Sequence, residues 1–387
     1  MPRAWAEVDV SAFRANVREV RRITGRPVLA VVKANGYGHG AALVARAAVE
    51  AGAAMLGVAT PVEALELRES AVTAPILVLQ PLLDDEVDVA LGASAACVVS
   101  TEAELARVAR AARRLSVRAR VHVKADSGLA RNGAPPARAL ALLAAAASDP
   151  SVELDGLMTH LACALDPETT REQLATFGEV VARARAAGLA PRVHAAASAA
   201  AILHPDARFD LVRPGLALYG VDDGGAFARA GARLAPVLSL RARVLRVREI
   251  DEGTPVGYGA TWSAKRRTRL AVVGIGYDDG IRPRQAQGGA LLIAGRRCPL
   301  VATVMMDSVI VDASDVPVAE GDVATAIGQD GAERISVEEI ARLDSVIPYV
   351  VTCGLGRRVA RVAREPLAES GRATLERSGR DRSIAAA

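Results

Sequence analysis

The sequence predicts an α/β protein: a closed, TIM-like (β/α)8 barrel followed by a second, mostly β domain. Three observations carry this prediction. From about residue 28 to 220, short apolar runs alternate with amphipathic, Ala-rich stretches. The runs number eight, the count a barrel needs. After Tyr219 the alternation stops, and strand-like runs separated by Gly, Asp and Pro take over. A chain of 387 residues is also too long for one ordinary core. The expected domains are therefore a barrel over 10–230 and a β domain over 231–364 that includes 1–9. A flexible tail of Ser, Gly, Arg and Glu is expected over 365–387.

The barrel runs are 28–33, 54–58, 76–80, 96–100, 117–123, 152–159, 192–196 and 210–219. Most precede a helical pattern, as at 39–51, 101–113 and 168–187. A doubly wound open sheet shows the same alternation, and periodicity alone leaves it open. The Asp223-Gly224-Gly225 bridge leads into β runs at 238–247, 270–275, 290–294, 309–311 and 323–327. One helix is expected there, at 337–342.

Composition excludes several classes. The net charge of +4 comes mostly from Arg spread beside Glu and Asp, and aromatic residues (3%) do not interleave with it. A solvated surface is expected, with no nucleic-acid partner. Cys97, Cys163, Cys298 and Cys353 lie far apart, which argues against a disulfide framework or a metal site and for a reducing cytoplasm. The N-terminal residues lack the apolar stretch of a signal peptide, and no apolar run is long enough to span a bilayer.

The sharpest chemical signal is Val32-Lys33-Ala34-Asn35-Gly36-Tyr37-Gly38-His39-Gly40. A Lys ending a buried run is costly unless paired, neutral or covalently used. A strand-end Lys reaching solvent is the ordinary alternative. Here a Gly-rich turn and an expected helix N-terminus follow, a place suited to anions. Other polar groups fall at the same end of later runs: Arg131, His160, Ser198 and Arg213 with Gly215. Gathering at the C-terminal rim is what a barrel enzyme shows.

With these residues the chain resembles the alanine racemase family, barrel-type enzymes that use pyridoxal 5′-phosphate (PLP). The resemblance runs from Trp5 to about Arg361. It rests on the Lys33 segment, on Arg213-Pro214-Gly215-Leu216-Ala217-Leu218-Tyr219-Gly220, on Gly276-Tyr277-Asp278-Asp279-Gly280 and on Met306-Asp307. It implies that Lys33 carries PLP as a Schiff base and acts as one base. Tyr37, Ser198, Gly215, Leu216 and Tyr349 would hold the phosphate, and His160 would pack against the ring. Tyr258 would be the second base, on the opposite face of the substrate. Arg131, Met306 and Asp307 would lie near the substrate carboxylate and that base, with Tyr277 at the entrance. Arg213 would face the pyridine nitrogen and, having only donors, keep it unprotonated. Lys124 would be open to carbamylation; a plain Lys paired with Asp126 is the alternative. The implied assembly is a homodimer with shared sites, and the substrate a small amino acid.

The chemistry requires such a set. Racemisation removes the Cα proton from one side and returns it on the other, so two acid/base groups must flank Cα. The match departs from the family's usual pattern at Ala197, Ala302, Thr303, Met305 and Ser308, and at Ala363. These changes leave serine or another small amino acid open beside alanine. A related barrel decarboxylase or lyase and a PLP carrier are the enzymatic and non-enzymatic rivals; Arg213, Tyr258 and the Met306-Asp307 pair weigh against the first, and a β domain bearing Tyr258 against the second.

Overall fold

The computed structural model describes residues 2–365. The first strand, β1 (Ala4–Asp9), pairs with strands near the end of the chain rather than with the barrel. Asp9 then caps the helix Val10–Thr24, accepting from Ala12 N at 2.8 Å. Seven parallel strands follow in spatial and sequential order: β2 (Leu29–Val31), β3 (Met55–Val58), β4 (Ile76–Val78), β5 (Ala95–Val99), β6 (Ala119–Lys124), β7 (Val152–Met158) and β8 (Arg192–His194). Several are buried on both faces, as a parallel sheet wrapped in helices demands.

The eighth run does not form a regular strand. It contributes an isolated parallel bridge, Val28 to Val212, before Pro214-Gly215 turns the chain into a short 3-10 helix, Leu216–Tyr219. Proline offers no N–H to continue a ladder. The segment still joins the two edges of the sheet. Asp210 N and Arg213 N donate to Val193 O and Ala196 O on one side. On the other, Leu29 N donates to Val212 O and Val31 N to Pro214 O.

The second domain begins with the long strand β9 (Leu238–Ile250). A two-stranded hairpin follows, β10 (Pro255–Val256) with β11 (Trp262–Ser263). The rest are β12 (Thr268–Val273), β13 (Ala290–Ile293), β14 (Arg296–Val301), β15 (Val309–Asp312), β16 (Val323–Asp330), β17 (Glu333–Ile335) and β18 (Ala360–Arg364). Their order is β17-β16-β13-β14-β15-β12-β9-β1-β18, and β16 also pairs with β9. That last pairing closes β9, β12, β15, β14, β13 and β16 into a ring and removes their open edges. The expected helix runs Val337–Asp344, and a second, Pro348–Cys353, lies where no element was expected. The expected tail lies, from residue 366 on, outside the described residues. No helix among the described residues is long and apolar enough to cross a membrane.

Candidate active site

At the C-terminal ends of the barrel strands lies a cavity of about 330 Å³. Lys33, Tyr37, Lys124, Arg131, His160, Ser198, Arg213, Gly215 and Tyr349 all line it. Leu216 does not; its side chain is buried in the 3-10 turn beside Gly215.

Lys33 lies two residues beyond β2, and the Gly-rich turn it opens is left-handed. Ala34, Asn35, Gly36 and Tyr37 all have φ between 50° and 62°. Such geometry costs roughly 1–2 kcal/mol at each non-glycine residue and needs outside support. Glu63 supplies it by accepting from Ala34 N at 2.7 Å, while Asn35 Oδ1 accepts from Ala41 N at 2.9 Å. Arg361 donates to Gly38 O at 2.9 Å, tying the turn to the second domain. Burial, then the nearby Arg131 cation, lowers the Lys33 pKa.

Cations crowd the cavity. Lys33, Lys124, Arg131 and Arg213 line it, and no carboxylate does. Lys124 is brought down to about 8, first by burial and then by Arg131 and Arg213. It donates to Asn132 rather than to Asp126, whose carboxylate is spent on the amides of Gly128, Leu129 and Ala130. His160 is pushed down to about 3, chiefly by burial and then by Arg213, so its ring is neutral. Burial also raises the Tyr37 phenol well above its ordinary value.

Arg213 is buried among neutral acceptors: His194 Nδ1 at 2.8 Å, Thr159 O at 2.6 Å and Ala195 O at 2.8 Å. Burial lowers it to about 9. Ser198 Oγ accepts from Gly215 N at 3.0 Å and Ala217 N at 3.2 Å, which turns its own proton away from both amides. A Cβ on Gly215 would sit 2.6 Å from the Tyr37 hydroxyl, so only glycine leaves that oxygen its place. A surplus of cations, a free hydroxyl proton and a residue without a Cβ form a cradle that fits an anionic phosphate ester.

The other predicted residues sit apart from this cavity. Tyr258 projects from the hairpin turn between β10 and β11 and is 76% exposed. Tyr277 and Met306 are 46% and 52% exposed. Arg358 gathers their neighbourhood by pairing with Asp279 and Asp307 and donating to Met306 O at 3.2 Å. Tyr277 N donates to Met305 O at 2.9 Å, which locks the two loops together. Thr303 Oγ1 is buried with no partner among the described residues.

Sequence reasoning missed Glu63, Gln80 and Asn132. Asn132 Nδ2 donates to Gln80 Oε1 at 3.0 Å and its Oδ1 accepts from Lys124, linking the segments that follow β4 and β6. Gln80 closes an apolar run at the same rim as Lys33, and Glu63 stands three residues after Thr60 in a capping box; both signals were readable.

The model of the alanine racemase N-terminal domain matches residues 8–223, and that of the C-terminal domain matches 237–363. The chain belongs to the alanine racemase family. This is a family of PLP-dependent isomerases. The alanine racemase of Symbiobacterium thermophilum is 42% identical over 363 residues, covering 92% of this chain and 96% of that protein. Among solved structures, the alanine racemase of Streptomyces lavendulae superposes with a TM-score of 0.87 at 37% identity, covering 95% of this chain and 98% of its own. That of Bartonella henselae, with covalently bound pyridoxal phosphate, gives 0.82 at 29% identity, covering 94% and 100%.

Proposed function

We propose that the chain interconverts L- and D-alanine, with Lys33 and Tyr258 as the two bases and PLP held on Lys33. The observation that carries this reading is the rim cavity, where a buried, pKa-lowered Lys33 shares space with three other cations and no carboxylate. When bound there, PLP supplies an electron sink for the carbanion left as Cα loses its proton.

The chain's own residues do the rest. Tyr37, Ser198, Gly215, Leu216 and Tyr349 would hold the phosphate through hydroxyls and backbone N–H groups. Arg213 would face the pyridine nitrogen. Its donors cannot take up a proton and cannot supply one readily, so they leave that nitrogen without one. His160, neutral, would pack on the ring. The lowered pKa of Lys33 gives it a larger neutral fraction, which is the form able to accept the Cα proton. Arg131 would pair with the substrate carboxylate. Lys124, at about 8, has the partly neutral amine that addition of carbon dioxide requires, and the resulting anion would face Arg131.

Tyr258, Met306, Asp307 and Tyr277 stand outside the Lys33 cavity of their own chain. We infer a two-fold dimer in which these residues from one subunit complete the cavity of the other. The chain is partitioned as 10–230 and 231–364 with 1–9. The four cysteines are all free in the structure, as expected of a cytoplasmic enzyme.

Two measurements test the reading together. Borohydride reduction of the PLP-loaded protein followed by peptide mapping is expected to place the pyridoxyl group on Lys33. A panel of L-amino acids is expected to show alanine inverted fastest, without carbon dioxide release. Label on another lysine, or decarboxylation in place of inversion, would refute it.

A further inference from the structure

Beneath the cavity, Arg213 continues into a line of buried side chains. Arg213 Nη1 meets His194 Nδ1 at 2.8 Å, His194 Nε2 meets His122 Nδ1 at 2.8 Å, and His122 Nε2 meets Asp155 Oδ2 at 3.2 Å. Asp155 in turn accepts from Arg192 at 2.6 Å, close to the surface. Both imidazoles are fully buried, and burial lowers the pKa of each.

The donors dictate how the protons lie. A guanidinium has no acceptor, so His194 Nδ1 must accept and its one proton sits on Nε2. That proton goes to His122 Nδ1, which places the His122 proton on Nε2, facing the carboxylate. Every hydrogen bond then points from Arg213 toward Asp155. The order is self-consistent only with a donor at one end and an acceptor at the other.

Two features of the backbone build this line. The β6–β7 register passes from Val121 opposite Leu154 to His122 opposite Gly156, so Asp155 is the extra residue of a bulge. Bulges re-aim side chains, and this one is set at the carboxylate. Gly156 leaves the room: a Cβ there would lie 2.0 Å from His122 Nδ1. Meanwhile Arg213 has no carboxylate among its direct partners, and a buried cation without counter-charge is costly.

We propose that Asp155 is a positioning residue for the reaction: through His122 and His194 it supplies the counter-charge that orients the Arg213 guanidinium under the cofactor. Hydrogen-bond chains polarise cooperatively in a low dielectric, which lets a carboxylate two imidazoles away act on the guanidinium. Only the kinetic arm of the test below rests on the racemase reading; the spectroscopic arm does not.

Nitrogen NMR of the PLP-loaded protein, labelled at histidine and assigned with single His→Gln variants, is expected to show neutral His122 and His194 with the proton on Nε2 in both. Asp155→Leu is expected to shift both rings. Asp155→Asn keeps an acceptor but loses the charge, and it is expected to lower kcat about tenfold with the KM for alanine unchanged. Asp155→Glu is expected to recover most of that loss. Arg192→Met removes the surface pair alone and is expected to stay near the wild-type rate. A proton on Nδ1 of either ring in the wild type would overturn the proposal. So would equal losses in Asp155→Asn and Arg192→Met, which would reduce Asp155 to half of a surface ion pair.

Discussion

The barrel rim and the loops of the β domain hold, in opposite surroundings, the residues we assign to one reaction. On the rim, Lys33, Tyr37, Lys124, His160 and Arg213 sit in a shared cavity, and burial shifts the pKa of each. In the β domain, Tyr258, Tyr277 and Met306 stand in solvent, held only through their backbone loops and the Arg358 cluster. Burial prepares the first group to hold an anion and to keep a lysine partly neutral. The second group has no such environment within its own chain. The comparison teaches that folding of one chain encloses the rim half of the proposed site and leaves the β-domain half exposed, the face that the proposed dimer would cover.

The largest effects should come from the residues proposed for the chemistry. Tyr258→Phe is expected to lower the racemisation rate by about 10²–10⁴. Because the side chain is exposed, its effect on stability should fall within about 0.5 kcal/mol. Denaturant melts and initial rates on the same sample check both halves, and a large loss of stability would show that Tyr258 is packed after all. Arg213→Glu breaks the contrast in the other direction. A carboxylate among Thr159 O, Ala195 O and His194 is expected to cost about 3–5 kcal/mol of stability as well as activity. With substrate, a long-lived absorption band is expected where the wild type shows none. An unchanged rate and spectrum would mean that Arg213 does not face the ring.

A smaller effect separates the regions by pH. His39 and His160 titrate at about 4 and about 3 in the folded chain, and His122 and His194 are also lowered, each chiefly by burial. Their unfolded values lie near the ordinary 6.5. Below that pH the unfolded chain binds protons that the folded rings refuse, so stability is retained above 6.5 and lost as pH falls. Denaturant melts between pH 7 and 5 should report uptake of about three protons on unfolding. His39→Gln should remove about one of them. A flat profile would contradict the neutral, buried rings of the barrel.

Much of this was legible in the sequence. Seven barrel strands and the rim positions of Lys33, Arg131, His160, Ser198 and Arg213 follow from apolar rhythm and polar residues at strand ends. The eighth run, 210–219, reads as a strand but does not form a regular one, because Pro214-Gly215 cuts it into a bridge and a 3-10 turn. No element is expected at the helix Pro348–Cys353, because it is too short to show a helical period; only Pro348 at its first turn signals it. β14 hides behind Arg296, Arg297 and Pro299, which do not look like a strand until its neighbours are in place. The line from Arg213 to Asp155 could not be read at all. It depends on a bulge that no local pattern announces, and on histidines that look like ordinary strand residues.

The central claim, a site divided between two chains, has one direct measurement. Lys33→Ala and Tyr258→Phe are prepared separately, each nearly inactive, carry different tags and are allowed to exchange subunits. With equal amounts and free exchange, half the dimers are mixed. Each mixed dimer has one site with both substitutions and one with neither, so about a quarter of all sites should recover wild-type activity. If both bases came from the same chain, no mixed dimer could hold an intact site. Activity would then stay near zero with exchange confirmed by the tags, and the divided site would be contradicted.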